Sequence, residues 1–225
     1  MFKHRKKTDK EYQEQRQEMV KTLQTWGYIK TDKVEEAMTA VPRHKFLPED
    51  QKTHAYEDRP LPVGKNQTIS APHMVAIMTE ALELEGDEKV LEIGAGTGYH
   101  SAVVAHIVKE GYVYTIEKIE ELAQKARENI EKTGYTNTEV ITGDGTQGYQ
   151  KKAPYDRISV TASAPDIPPP LIEQLKPGGQ MLIPIGPRYH QNLIKVTKTQ
   201  AGGIKKKNLG GCVFVPLIGK HGWKD

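Results

Sequence analysis

The sequence has very little cysteine and no long apolar run. Cys212 is the only cysteine among 225 residues, so no disulfide can form within the chain and no zinc site built on several cysteines is available. No apolar stretch is long enough to span a bilayer. The first residues, MFKHRKKTDKEYQEQ, also lack the apolar core of a secretory signal. We therefore expect a chain that works in the cytoplasm, away from membranes and without a bound metal.

The chain also lacks a strong excess of charge of either sign. Its 32 Lys and Arg residues and 29 Asp and Glu residues leave a formal net charge of +3, which is too small to indicate a nucleic-acid partner by itself. Basic residues do cluster near both ends, at Lys3, Arg5, Lys6 and Lys7 and at residues 205–207. Such runs are usually solvated surface, so nucleic acid is not an expected partner.

Strand and helix patterns alternate through the middle of the chain. Apolar spacing predicts helices over residues 9–27, 33–40, 74–85, 99–108, 119–132 and 168–175, and strands over residues 89–93, 112–117, 139–142, 156–161, 180–185, 192–196 and 211–217. This alternation predicts right-handed βαβ units and an α/β fold with a doubly wound, mostly parallel sheet. We expect one domain in three parts: a helical and irregular extension over 1–70, a core over 71–190, and an antiparallel edge over 191–225.

Three polar turns follow predicted strands, at the edge where open α/β sheets bind ligands. The first, EIGAGTG at residues 92–98, has the spacing G-x-G-x-G after an acid. It differs from the G-x-G-x-x-G of dinucleotide sites and resembles the first motif of S-adenosylmethionine-dependent methyltransferases. Glu117 ends the second strand, where an acid can accept hydrogen bonds from both ribose hydroxyls. Asp144 is placed to accept an adenine amino group. The alternatives are a surface acid at a helix start for Glu117 and an ordinary Asp-Gly turn for Asp144.

Longer motifs are more specific than the glycine turn. They are VPR at 41–43, QTISAPHM at 67–74, VLEIGAGTG at 90–98, GDG at 143–145, APYD at 153–156, LKPGG at 175–179 and FVPL at 214–217. Together they resemble the protein-L-isoaspartate O-methyltransferase family. The resemblance implies a class I methyltransferase (Rossmann-like) fold, S-adenosylmethionine as cofactor and S-adenosylhomocysteine as product. It also implies a repair enzyme that methylates the free carboxylate of L-isoaspartyl residues in damaged proteins and peptides. We expect the enzyme to be a monomer.

The same resemblance implies the site residues. Ser70 would be the catalytic serine. Gln67, Thr68 and Ile69 would form the wall over cofactor and substrate. The cofactor pocket would be lined by Gly94, Gly96, Thr97, Gly98, Glu117, Lys118, Asp144 and Gly145.

Ser70 has two interpretations from the residues themselves. Its hydroxyl could donate to one oxygen of a substrate carboxylate and leave the other oxygen free to attack. No general base is then required, because a carboxylate is already ionised at pH 7. Alternatively, Ser70 is an ordinary N-cap that accepts from the amides of the following helix, a position where serine is among the preferred residues.

The main alternative function is an S-adenosylmethionine-dependent methyltransferase of RNA or DNA, which the basic ends favour. Against it, the segment TASAP at 161–165 has small residues where methyltransferases of base amino groups usually place an Asn or Asp, two prolines and an aromatic residue. A nicotinamide-dependent reductase is disfavoured by the glycine spacing and by the lack of a Tyr-x-x-x-Lys pair. A non-enzymatic adenosylmethionine-binding protein is disfavoured by the intact segment around Ser70.

Overall fold

The computed structural model describes residues 7–224, so Lys3, Arg5 and Lys6 of the predicted basic cluster lie outside the described part. The helices are α1 (Asp9–Thr25), α2 (Asp32–Ala40), α3 (Pro72–Ala81), α4 (Tyr99–Ile107), α5 (Glu120–Lys132) and α6 (Pro169–Glu173). The strands are β1 (Leu61–Gly64), β2 (Gln67–Ile69), β3 (Lys89–Ile93), β4 (Tyr112–Glu117), β5 (Thr138–Thr142), β6 (Tyr155–Val160), β7 (Leu175–Ile185), β8 (Gln191–Lys198) and β9 (Ile204–Cys212).

A seven-stranded sheet with the order β5-β4-β3-β6-β7-β8-β9 forms the centre of the fold. The strands from β5 through β7 are parallel, and β8 and β9 add an antiparallel edge. This confirms the predicted mostly parallel sheet. The strand order reverses at β3, which lies between β4 and β6, and such a reversal opens a crevice at the carboxyl ends of the strands.

Both faces of the sheet are covered, which is why its strands read as apolar runs without strict alternation. On β3, Val90 packs into the core that the sheet shares with α1 to α5. Leu91 and Ile93 pack into the opposite core, together with Leu171 of α6. The doubly wound arrangement is therefore confirmed.

The extension before the sheet ends in a short hairpin that leads to its carboxyl edge. Strands β1 and β2 pair antiparallel, and between them Lys65 and Asn66 have φ of +52° and +56°. Positive φ at both central residues is the signature of a tight two-residue hairpin turn. The hairpin holds residues 67–69 in an extended strand just before α3.

Some predicted boundaries are wrong. The strand expected over 211–217 is instead β9, which ends at Cys212. Residues 205–207 are solvent-exposed, as predicted, and they lie on the edge strand β9, where lysines discourage pairing with other chains. Strand β7 begins at Leu175 rather than at residue 180. Helix α3 ends at Ala81, before Gly86, because the chain turns at Glu83, where φ is +51°.

Residues 7–224 contain no helix long and apolar enough to cross a membrane. Within that same range, no group of three or more His, Cys, Asp or Glu side chains could hold a metal ion. Burial raises the pKa of the Cys212 thiol to about 11. It is therefore a neutral thiol at pH 7 rather than a nucleophile.

Candidate active site

The glycine turn between β3 and α4 lies where the strand order reverses. Gly94 has φ of +98°, and its N–H donates to the Ile116 carbonyl on β4 over 2.8 Å. A Cβ added to Gly94 would lie 2.4 Å from Oγ1 of Thr161, so only glycine fits between the ends of β3 and β6. Thr161 Oγ1 donates to the Gly94 carbonyl over 2.6 Å. The turn is thereby held against both neighbouring strands.

Glu92, the acid that precedes the glycines, is buried within the fold. Its Oε1 lies 2.7 Å from His100 Nδ1. Its Oε2 accepts from Ser101 Oγ and, over 2.5 Å, from Thr115 Oγ1. Glu92 thus makes its hydrogen bonds with side chains of the protein interior, and these bonds connect β3 to the first turn of α4 and to β4.

Glu117 closes the turn from the end of β4, as its position in the sequence predicts. Its Oε2 accepts from the Gly96 N–H over 2.8 Å, and its Oε1 accepts from the Ile119 N–H over 3.0 Å. Burial raises the pKa of the Glu117 carboxyl, while these backbone donors oppose the rise. A carboxylate has about four lone-pair sites, so Glu117 can accept further hydrogen bonds from a ligand.

A cavity of about 380 Å³ opens beside Glu117 at the carboxyl edge of the sheet. We call it the large cavity. The predicted residues that line it are Gln67, Thr68, Gly94, Gly96, Glu117, Lys118 and Gly145. The structure thus brings together residues from the hairpin, from the glycine turn and from the ends of β4 and β5.

Sequence reasoning missed the residues of the large cavity that lie far apart along the chain. They are Ile93, Ile116, Ile119, Thr161, Ala162 and residues 215–218. Segment 215–218 reaches the cavity because it pairs with the chain after β6. The Ser163 N–H donates to the Val215 carbonyl over 2.8 Å, and Ser163 forms an isolated parallel β-bridge with Pro216. The FVPL motif at 214–217 was the available signal, but it was interpreted as a strand.

A smaller chamber of about 50 Å³ adjoins the large cavity. The two share Thr68, Gly94, Gly96 and Thr161 as walls. The chamber is also lined by Ile69, Ser70, Val75, Ala95, Thr97, Tyr99 and His100. The predicted residues Ile69, Ser70 and Thr97 therefore lie here, next to the large cavity.

Ser70 lies at the mouth of α3 but does not cap it. The N-cap residue is Ala71, and no side chain of the N-cap residue bonds to the helix. The free N–H of His73 donates instead to Asp58 Oδ1 over 2.9 Å. Within residues 7–224 no hydrogen-bond partner of the Ser70 hydroxyl is found. The N-cap interpretation is therefore wrong, and the hydroxyl is left for the chamber.

Two predicted cofactor residues lie outside the lining of both spaces. Gly98 packs against α5, where an added Cβ would lie 3.1 Å from Ile130. Asp144 adjoins Gly145 but holds the C-terminal segment, since its Oδ2 accepts from the Lys220 N–H over 2.8 Å. Its Oδ1 accepts from the Thr146 N–H over 2.9 Å. The predicted contact of Asp144 with adenine stays a prediction.

A second cavity of similar volume, about 390 Å³, lies between α1 and residues 53–58. It contains Met19, Leu23 and Trp26 and none of the predicted site residues. The polar side chains converge with the glycine turn at the large cavity and its chamber instead.

The residues around the large cavity suit an adenosyl group with an amino-acid end. Isoleucine and leucine side chains could cover a flat ring, and Glu117 offers acceptor capacity for a vicinal diol. The chamber adds buried polar atoms with no partner among the described residues, including Thr97 Oγ1 and His100 Nε2. These are the groups that a small charged end of a ligand would satisfy.

Comparison with known proteins shows what the chain is similar to. The sequence model of the protein-L-isoaspartate(D-aspartate) O-methyltransferase family matches residues 14–222. A protein-L-isoaspartate O-methyltransferase of Methanopyrus kandleri is 56% identical over 219 residues, covering 96% of this chain and 97% of its own. One from Hyperthermus butylicus is 54% identical over 223 residues, covering 95% of this chain and 92% of its own. A Plasmodium falciparum structure described as this enzyme, in complex with S-adenosyl-L-homocysteine, has a TM-score of 0.78 and 28% identity, covering 90% of this chain and 98% of its own.

Proposed function

This chain belongs to the protein-L-isoaspartate(D-aspartate) O-methyltransferase family, and we propose that its large cavity and chamber carry out that family's methyl transfer. The enzyme transfers the methyl group of S-adenosylmethionine to the free carboxylate of L-isoaspartyl residues in damaged proteins and peptides, which initiates repair. The observation that carries the site assignment is the meeting of the uncommitted Ser70 hydroxyl and the glycine turn in one chamber.

The cofactor would lie across the large cavity with its amino-acid end toward the chamber. S-adenosylmethionine supplies a methyl group that is activated by the positive charge of its own sulfur. Glu117 would accept from the ribose hydroxyls, because its carboxylate is already oriented by two backbone N–H groups. The other lining residues that we propose as cofactor contacts are Gln67, Thr68, Ile69, Gly94, Gly96, Thr97, Lys118 and Gly145.

Ser70 would hold the substrate carboxylate beside the glycine turn. Its hydroxyl can donate one hydrogen bond, and a carboxylate has a second oxygen that this bond does not engage. No residue has to remove a proton, because the attacking group is ionised at pH 7. The work of the protein is to align the reacting groups and to exclude water, and proximity of this kind can supply about 7–11 kcal/mol.

The cover over the large cavity supports this division of roles. The large cavity is also lined by four apolar residues of the C-terminal segment, Val215, Pro216, Leu217 and Ile218. Such an apolar lining displaces water from the space that the cofactor would fill and strengthens the remaining polar contacts. Gly98 and Asp144 would support the site without lining it. Gly98 packs on α5, and Asp144 holds the C-terminal segment by accepting from the Lys220 N–H.

We further propose that the enzyme acts on isoaspartyl proteins and peptides as a monomer, in the cytoplasm and without nucleic acid. The small net charge of +3 and the position of Lys205 to Lys207 on the edge strand β9 favour solvated basic residues over a nucleic-acid site. We also propose that residues 1–70, 71–190 and 191–225 serve one catalytic domain, as extension, core and edge.

The test uses two peptides that differ only in one aspartyl or isoaspartyl linkage. Methyl transfer from labelled S-adenosylmethionine is followed to each peptide under identical conditions. Transfer to the isoaspartyl peptide alone is the expected result. Transfer to neither peptide, by an enzyme that still binds S-adenosylhomocysteine, would overturn the substrate assignment while leaving the cofactor pocket in place.

A further inference from the structure

The chamber contains a histidine that the methyl transfer described above does not use. His100 is only 9% exposed and lines the chamber together with Ser70. Its Nε2 is buried and has no hydrogen-bond partner among the described residues. A buried polar atom without a partner is costly, so a group that fills the chamber is expected to satisfy it.

The partner of the other ring nitrogen determines what Nε2 can do. Nδ1 lies 2.7 Å from Glu92 Oε1, while Glu92 Oε2 accepts from the hydroxyls of Ser101 and Thr115. Because the Ser101 and Thr115 hydroxyls donate to Oε2, we assign Glu92 as the acceptor toward the imidazole as well, with the proton on Nδ1. In the neutral imidazole, Nε2 then has the lone pair and acts as an acceptor.

The chamber is also small. Its 50 Å³ could hold a few waters, at about 10–15 Å³ each, or one compact charged group. An acceptor nitrogen backed by the Glu92 carboxylate favours a cation with N–H donors over an anion. The amino-acid end of S-adenosylmethionine carries such a group, an ammonium with three donors.

We propose that His100 is a positioning residue whose Nε2 accepts a hydrogen bond from the α-ammonium of the cofactor, with Glu92 holding the imidazole in the required tautomer. This inference rests on the proposed function, because it assumes that the cofactor occupies the large cavity with its amino-acid end in the chamber. The contact would fix the amino-acid end beside Ser70 and so set the position of the reacting sulfur.

The test compares two ligands and three variants by isothermal titration calorimetry. The ligands are S-adenosylhomocysteine and S-adenosyl-4-thiobutyrate, the same molecule without its ammonium. His100→Ala is expected to weaken S-adenosylhomocysteine binding about ten-fold or more, the scale of one hydrogen bond to a charged group. It should leave binding of the thiobutyrate analogue unchanged, and His100→Gln, which keeps an acceptor near the Nε2 position, should restore part of the loss.

His106→Ala is the matched control on the same helix. Its Nδ1 lies 3.1 Å from the Tyr135 hydroxyl, and it lines neither space, so both ligands should bind this variant as they bind the unaltered protein. Equal weakening of both ligands by His100→Ala, or no weakening of either, would overturn the role of His100 alone. Failure of the unaltered protein to bind S-adenosylhomocysteine would overturn the cofactor pocket as well.

A measurement on the unaltered protein guards against a variant that does not fold. With ¹⁵N-labelled histidine, the Nε2 resonance of His100 should shift when S-adenosylhomocysteine is added and shift much less with the thiobutyrate analogue. The same response to both ligands would contradict the ammonium contact.

Discussion

Replacement of Glu117 by alanine is expected to weaken S-adenosylhomocysteine binding by about 3 kcal/mol, or roughly 100-fold. The Glu117 carboxylate is buried at the end of β4 and is oriented by the N–H groups of Gly96 and Ile119. A hydrogen bond to a charged acceptor contributes about 1.5–3 kcal/mol. Two hydrogen bonds from the ribose hydroxyls would therefore contribute about 3–6 kcal/mol to binding. In the alanine variant, water that enters the space left by the side chain replaces part of these bonds, so we expect a loss near the lower end of that range.

Calorimetry of the binding reaction is the assay, with Glu131→Ala as control, since Glu131 is an exposed acid on α5. Glu117→Gln separates charge from shape, because it keeps one acceptor oxygen. Burial raises the pKa of Glu117, so binding by the unaltered protein should also weaken as the pH falls through this raised pKa and the carboxylate becomes protonated. Folded Ala and Gln variants that bind as tightly as the unaltered protein would refute the ribose assignment.

Three other substitutions test the remaining parts of the site. Ser70→Ala should leave the fold and S-adenosylhomocysteine binding intact but lower kcat about 10- to 100-fold; unaltered turnover in a methyl-transfer assay would contradict this. Gly94→Ala should lower the free energy of unfolding in urea by about 2 kcal/mol or more, because its Cβ would lie 2.4 Å from Thr161 Oγ1; a variant of unchanged stability would show that the turn can relax. Burial tends to raise the pKa of Asp144, but donors such as the Lys220 N–H outweigh it and hold that pKa below its ordinary value. The stabilisation by Asp144 is therefore present at neutral pH and lost as the pH falls through this lowered pKa. Asp144→Asn should flatten the acid limb of a circular dichroism titration, and an unchanged limb would count against a stabilising bond from the Lys220 N–H to Asp144.

The central strands could be predicted from the sequence almost to the residue. Strands β3 and β4 begin and end where their apolar runs meet glycine or charged residues, at Lys89 and Ile93 and at Tyr112 and Glu117. Parallel strands buried on both faces produce such runs, and the carboxyl ends of neighbouring parallel strands lie at one edge of the sheet. The proximity of the glycine turn to Glu117 follows from these two facts alone.

The first turn of α4 could not be predicted in the same way. The apolar spacing of Val103, Val104 and Ile107 predicts one buried side of this helix, but His100 and Ser101 are buried as well. The reason is tertiary: α4 is enclosed by the sheet and by α2, α3 and α5, so polar residues on its other side are buried too. The hydrogen-bond partner of His100 is Glu92 on β3, on the other side of the glycine turn. The apolar period of a helix gives no information about such a partner.

The cover of the large cavity shows a second limit of sequence reasoning. The apolar residues at 215–218 have neither a strand nor a helix period. Two hydrogen bonds set their position: the Ser163 N–H donates to the Val215 carbonyl over 2.8 Å, and the Lys220 N–H donates to Asp144. Both contacts join segments more than fifty positions apart in the sequence. The glycine turn and Glu117 both lie within residues 92–119, whereas residues 215–218 come from the C-terminal edge and Ser70 from the N-terminal extension. The two additions to the sheet thus reach the same crevice from opposite ends of the chain, through contacts that no local pattern in the sequence reports.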